Sequence, residues 1–231
     1  MAKWARAGQF IHVQIPGSRY FLRRPLSLSA ADPHNGTVEL IIKVLGTGTR
    51  ALSLLSQGDC LDIMGPLGRP WPSLDEFRNV AMVGGGVGFP PLFFLARQLF
   101  GKKDIYFFYG GRSGEDILEE FELGRRTSRL FVSTNDGSRA EPGLVTDLFA
   151  KVLTQWIPDV VLTCGPLAMM RTVAQICGPR GLAGYASLEE RMGCGVGVCI
   201  GCVTATVRGF ERVCSEGPVF DLKDIAWEPT T

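Results

Sequence analysis

Four cysteines near the end of the chain are spaced Cys194-x4-Cys199-x2-Cys202-x11-Cys214. An x4, x2 spacing with a later fourth cysteine is the plant-type [2Fe–2S] arrangement. The residues between them suit that chemistry. Gly193, Gly195, Gly197 and Gly201 permit positive φ and bring backbone N–H groups close to sulfur. Hydrogen bonds of that kind tune a cluster's potential. Val196, Val198 and Ile200 are expected to shield the cluster from water. Val203–Val207 and Glu211–Cys214 read as a hairpin returning the fourth ligand. Zinc and plain buried thiols are the alternatives. Structural zinc favours two short cysteine pairs or a nearby histidine, and the only histidines, His12 and His34, lie far away in sequence. Of the other three cysteines, Cys60 and Cys177 read as small core residues. Cys164 ends a strand, where ligands tend to bind.

A second constellation is glycine-rich. Val80–Val83 leads into Gly84-Gly85-Gly86-Val87-Gly88-Phe89-Pro90-Pro91, a strand, a turn and a helix start. Such a turn lets a pyrophosphate approach the backbone and sit at the helix N-terminus. The pattern is Gly-x-Gly-x-x-Pro, with Pro91 preset for the first helical turn. A comparable loop is Thr163-Cys164-Gly165-Pro166. Arg112, in Gly110-Gly111-Arg112-Ser113, is equally suited to a ribose phosphate or to solvent. Arg24-Pro25-Leu26-Ser27 could pair with a phosphate and hydrogen-bond a flat ring, and Gly46-Thr47-Gly48-Thr49 could take a second phosphate oxygen. In isolation those two segments are ordinary turns.

These residues need elements to hold them. The chain has 231 residues, room for one large domain or two small ones and an appendage. Before residue 70, short runs separated by Gly/Pro turns predict an antiparallel β-barrel: strands at Phe10–Ile15, Tyr20–Leu22, Leu26–Ser29, Val38–Val44 and Cys60–Met64, and a helix at Thr49–Leu55. From Val80 the pattern alternates strand and helix, which predicts a parallel sheet covered on both faces. From Leu182 glycine and cysteine dominate. The expected fold is therefore α+β and multidomain: a β-barrel over 1–70, an α/β nucleotide-type domain over 71–181 and a cysteine-rich tail over 182–231.

Composition narrows the function. Lys plus Arg is 24 and Asp plus Glu is 23, a net charge of +1, which argues against a nucleic-acid binder or an anionic-membrane binder. The uncharged stretch at residues 80–96 contains four glycines after Val83 and two adjacent prolines, so a spanning helix is not expected. MAKWARAGQF lacks the apolar core of a signal peptide. A cytoplasmic chain whose cysteines are thiols or metal ligands is expected.

The order of barrel, Gly-x-Gly-x-x-Pro domain and Cys-Gly-Pro loop resembles the ferredoxin–NADP reductase superfamily. The tail is more particular. Leu188-Glu-Glu-Arg-Met-Gly-Cys-Gly-Val-Gly-Val-Cys-Ile-Gly-Cys202, with Arg212-Val-Cys214 and Gly217-Pro-Val-Phe220, resembles the electron-transfer subunits of class B dihydroorotate dehydrogenases, over about Gly8 to Ile225. The resemblance implies FAD held by Arg24, Pro25, Leu26 and Ser27, and touched by Ile41, Ile42, Lys43, Gly48 and Thr49. It implies NADH received by the glycine loop, with Gly84, Gly85, Gly86, Gly88 and Pro90, and by Cys164, Gly165 and Pro166. It implies a [2Fe–2S] cluster on Cys194, Cys199, Cys202 and Cys214. The implied partner is an FMN-containing catalytic dihydroorotate dehydrogenase subunit, two copies of each forming a heterotetramer in pyrimidine biosynthesis. Members of this family carry further residues ahead of the equivalent of Gly8 that supply the first barrel strands, so an open barrel is expected here. Stand-alone oxygenase-type reductases resemble this chain less, because their gap before the fourth cysteine is much larger. The small subunit of a bifurcating NADH-dependent ferredoxin:NADP oxidoreductase is the alternative; that relative has Asp where this chain has Cys194.

Overall fold

The structure, a computed structural model, describes residues 1–17 and 20–227. Residues 228–231 of the expected tail lie outside the described residues. The chain begins with β1 (Phe10–Val13), β2 (Arg24–Asp32), β3 (Thr37–Leu40), α1 (Thr47–Ser53) and β4 (Ile63–Leu67). These strands form one antiparallel sheet, ordered β3-β2-β1-β4. Four strands are too few to close a barrel, so the sheet is open at β3 and β4. Ile11 and Val13 join Leu28 in its core. Phe10 faces the opposite way and packs with residues of the cysteine tail.

Several elements differ from expectation. Arg24 and Pro25 lie inside β2, where a turn was expected. Pro25 sits opposite His12 of β1, and β3 pairs with β2 only from Leu28 onward. The missing N–H of Pro25 therefore leaves no ladder bond unmade. The third strand stops at Leu40, and residues 41–45 run without a partner strand as the wall of a cleft. Tyr20–Leu22 forms no strand. The fourth strand starts only at Ile63, so Cys60 lies in a loop and is exposed, not in the core.

The next elements are β5 (Asn79–Gly85), α2 (Pro90–Leu99), β6 (Asp104–Gly111), α3 (Glu120–Gly124), β7 (Arg129–Thr134), β8 (Glu141–Pro142), α4 (Val145–Val152), β9 (Val160–Cys164), α5 (Leu167–Cys177) and β10 (Ala183–Ser187). The tail adds the hairpin β11 (Val203–Thr206) and β12 (Gly209–Arg212), then β13 (Val219–Asp221). The large sheet runs β13-β10-β9-β5-β6-β7-β8, parallel except for β13. The expected boundary at 181/182 thus falls just ahead of a strand of this sheet. β10 is the fifth parallel strand counted from β7 across to β9's far side, and β13 returns from the tail to pair with it. The tail is bolted to the nucleotide sheet through that pairing.

Burial explains why the central strands read as continuous apolar runs. Val80 and Met82 of β5 pack with Leu92 and Phe93 of α2. Ala81 and Val83 pack on the other face with Phe149 of α4 and Val173 of α5. That second core continues through Ala186 and Phe220 to Cys202, Val213 and Cys214. One apolar mass therefore supports both the nucleotide sheet and the cysteine loop. Among the described residues no helix is long and apolar enough to cross a membrane.

Candidate functional site

Two clefts lie between the flavin-type sheet and the parallel sheet. The first, of about 820 Å³, is walled by Arg24, Pro25, Leu26 and Ser27 of β2. Ile41, Ile42, Lys43 and Thr49 line the same cleft. Gly48 is not on its wall; it lies behind Arg24, with room for a Cβ only 3.6 Å from that residue's Nε. Arg24 Nη1 donates to the Leu22 carbonyl at 2.8 Å, which fixes the guanidinium at the rim. Thr49 Oγ1 accepts from the Leu45 and Gly46 N–H groups at 2.9 and 3.1 Å and closes the turn into α1. If Arg24 holds an anionic phosphate, Arg24→Ala removes charge-assisted bonds worth ~1.5–3 kcal/mol. The expected outcome is at least about tenfold weaker FAD binding, read by fluorescence on rebinding FAD to stripped protein, with Arg24→Lys intermediate because it lacks the fork.

The second cleft, of about 770 Å³, is lined by Gly85, Gly86 and Gly88 from the glycine loop and by Gly165 and Pro166 from the Cys-Gly-Pro loop. The two loops touch: a Cβ on Gly88 would fall 2.5 Å from Gly165 Cα. Gly84 is not on the wall. It is buried in β5, facing Phe107, Phe89 and Leu92. Pro90 lines the first cleft and not the second. Cys164 lines neither; it is buried beneath the junction, and burial foremost pushes its thiol well up, with the Glu189 charge adding. The thiol is therefore held protonated.

The clefts share Lys43, Leu45, Val87, Leu188, Glu189 and Glu190 and so open into each other. Two charged residues at this region, Glu189 and Asp116, carried no sequence signal strong enough to single them out. Glu189 is open to solvent along the cleft yet ringed by protein, and that crowding raises its carboxyl. Asp116 pairs with Lys43 across the two sheets and also takes the Arg112 backbone N–H at 3.0 Å. The Lys43 ammonium foremost pulls the Asp116 carboxyl below the usual carboxylate range. Arg112 leans on the same carboxylate at 3.4 Å, with most of its side chain exposed at the cleft rim. The Tyr109 hydroxyl stands between the Gly86 and Asp116 carbonyls, at 3.2 and 3.0 Å, and accepts from Leu118 N–H. This network ties the glycine loop to the inter-sheet ion pair.

The cysteine loop stands on the other side of the flavin-type cleft. Phe10 and Met192 line that cleft and pack in the same core as Cys202 and Cys214. Cys202 and Cys214 are buried, Cys194 is half-buried and Cys199 is exposed. The thiols approach one another as two pairs, Cys194 with Cys199 and Cys202 with Cys214. Backbone N–H groups aim at them. Val196, Val198 and Cys199 donate to Cys194 Sγ at 3.3–3.4 Å, Gly197 to Cys214 Sγ at 3.1 Å, and Cys214 to Cys202 Sγ at 3.4 Å. The Val196 N–H foremost, then that of Cys199, lowers the Cys194 thiol to about 6. Burial first, then Cys202, pushes Cys214 up to about 11. Among the described residues no three His, Cys, Asp or Glu side chains close on a single ion position. Four cysteine sulfurs ringed by backbone N–H donors suit an iron–sulfur cluster: Cys194, Cys199, Cys202 and Cys214 would hold it, and the N–H groups would stabilise the negative charge on its sulfurs. Arg212 braces the loop, donating to the Gly197 carbonyl at 2.6 Å and to Glu216 at 2.6 and 2.8 Å. Val196, Val198 and Ile200 do not cover the site as expected. They are 48%, 80% and 67% exposed, because the N–H groups of the loop turn inward and the side chains outward.

Comparison with known proteins agrees with this division. Residues 5–71 match the oxidoreductase FAD-binding domain, residues 82–187 the oxidoreductase NAD-binding domain, and residues 189–226 the iron-sulfur cluster binding domain of dihydroorotate dehydrogenase B. The chain is 38% identical over 226 residues to the dihydroorotate dehydrogenase B (NAD(+)) electron transfer subunit of Streptococcus pneumoniae, covering 95% of this chain and 87% of that protein. The chain belongs to this family of electron-transfer subunits. The Fusobacterium nucleatum member is 36% identical over 230 residues, covering 96% and 87% of the two chains. Among solved structures, an NADH-dependent reduced ferredoxin-NADP oxidoreductase superposes with a TM-score of 0.88 at 30% identity, over 98% of this chain and 81% of that one. Residues 24–27 and 41–43 and Thr49 of the first cleft fall in the matched FAD-binding domain, the glycine loop and the Cys-Gly-Pro loop of the second in the NAD-binding domain, and the four cysteines in the iron-sulfur domain.

Proposed function

We propose that this chain passes electrons between NADH and an FMN-containing catalytic dihydroorotate dehydrogenase subunit through FAD and a [2Fe–2S] cluster, in cytoplasmic pyrimidine biosynthesis, with two copies of each subunit in the complex. The observation that carries the reading is the order of the sites: two clefts that share a wall, then a paired-cysteine loop behind Phe10 and Met192. A flavin bound there would take two electrons from a nicotinamide and release them singly to a one-electron cluster. The chain's residues supply the rest. Gly85, Gly86 and Gly88 offer backbone to a pyrophosphate without side-chain obstruction. Leu188 and Val87 line the shared wall with apolar surface and keep water from the transfer point. Lys43 and Asp116 hold the two sheets at a fixed spacing. Cys194, Cys199, Cys202 and Cys214 would bind the cluster. The exposed Val196, Val198 and Ile200 form an apolar rim suited to the partner, with Val207 and Phe210 of the neighbouring hairpin, 67% and 71% exposed, extending it.

The test is a spectrum. Anaerobically purified chain should show flavin bands over broad iron–sulfur absorption, and NADH should bleach both. A colourless protein, or one whose flavin ignores NADH, would sink the proposal.

A further inference from the structure

His12 is a buried group that the reading above leaves without a role. It lies in β1 with 0% of its surface exposed, and neither ring nitrogen has a hydrogen-bond partner among the described residues. Buried polar atoms are rarely left so. Strand alternation puts His12 on the face it shares with Phe10, toward the cysteine tail, while Ile11 and Val13 face the core of the flavin-type sheet. Its Nδ1 meets the cluster loop at Gly195, where a Cβ would fall 2.6 Å away. Gly195 adopts φ +71°, so the close approach and the backbone conformation both call for glycine. The carbonyls of Cys194 and Arg23 stand near the ring without reaching hydrogen-bonding geometry. An imidazole keeps at least one ring N–H to give even when neutral.

We propose that His12 is a positioning residue that donates its ring N–H to a cluster sulfur at the Cys194 end. This rests on the [2Fe–2S] reading of the four cysteines. The bond would tie β1, whose neighbour Phe10 lines the flavin cleft, directly to the cluster loop. It would also favour the reduced cluster, because the added electron strengthens sulfur as an acceptor. Arg23 and Arg24 add positive charge near the ring.

The test uses the intact, cluster-loaded chain. His12→Leu should lower the cluster midpoint by an amount matching about a tenfold change in the reduction equilibrium, 59 mV for one electron, with altered EPR g-values and an unmoved flavin midpoint. His12→Gln, which keeps an N–H donor, should recover most of the shift. A cluster-loaded His12→Leu with unchanged midpoint and g-values would overturn the proposal. If His12→Leu fails to fold or load, the unaltered ring decides. The chain has two histidines, and His34 is exposed in the β2–β3 turn. Labelling with ¹⁵N-histidine in a His34→Gln background should give a ¹⁵N coupling to the reduced cluster in pulsed EPR; its absence overturns the proposal. Iron and sulfide content separate the two readings: a chain without cluster refutes the cluster assignment, and a loaded chain without coupling refutes only the role of His12.

Discussion

Cys199→Ser is expected to leave NADH-driven flavin reduction within about twofold of the unaltered rate and to cut electron delivery to the catalytic partner by more than 100-fold. The direction follows from the layout. The two clefts share walls with each other, and Cys199 touches neither. The magnitude follows from ligand chemistry, since residues that merely orient a ligand cost ~10–100-fold when altered and a lost ligand should exceed that. Cys199 is exposed, so the smaller serine leaves no cavity in the core. Stopped-flow bleaching of the flavin by NADH measures the first half, and reduction of the partner's flavin measures the second. Flavin content and melting temperature confirm that the variant is otherwise intact. Full-rate reduction of the partner by Cys199→Ser would show that the cysteine loop is not on the route.

How much of this was legible in the sequence depended on whether the information was local. The cysteine spacing and the glycine turn are local patterns, and both stand where the spacing put them. The strand–helix alternation from Val80 was equally plain, because each central strand buries both faces. β10 and β13 were not legible. Gly184 interrupts the apolar pattern of β10, where a Cβ would strike Val161's carbonyl at 3.0 Å. The three residues of β13 are too few for any period to register. Only the partner strands make either one a strand, so neither is announced by its own residues. The same non-locality hid Asp116, whose meaning comes from Lys43, 73 residues earlier in the chain. It also reversed Val196, Val198 and Ile200. Apolar residues beside ligands suggested a cover, yet a loop that turns its N–H groups toward sulfur must send its side chains outward. A partner's surface is then the natural cover, which the sequence of one chain does not contain.

Gly88→Ala should lower the rate of flavin reduction by NADH about 100-fold while the chain keeps its FAD and its cluster. One methyl group suffices because of what it meets. Its Cβ would stand 2.5 Å from Gly165 Cα, 2.7 Å from Gly165 N and 3.0 Å from the Cys164 carbonyl carbon. All three are backbone atoms, so no side-chain end can swing away. The glycine loop and the Cys-Gly-Pro loop must therefore part, and both line the cleft proposed for the dinucleotide. A displacement of ~1 Å at a reacting pair can cost about 10²-fold in rate, and the overpacking itself costs ~1–3 kcal/mol. The first effect should dominate, because the second is spread over a sheet with two cores. The control is Gly178→Ala, where a Cβ meets nothing within 4 Å and φ is −53°; it should run at the unaltered rate. Pre-steady-state bleaching at rising NADH separates a lost binding site from a mispositioned one. Binding alone would shift only the concentration dependence, whereas displaced loops should also lower the limiting rate. A Gly88→Ala chain with the unaltered limiting rate and affinity would mean that the dinucleotide binds elsewhere.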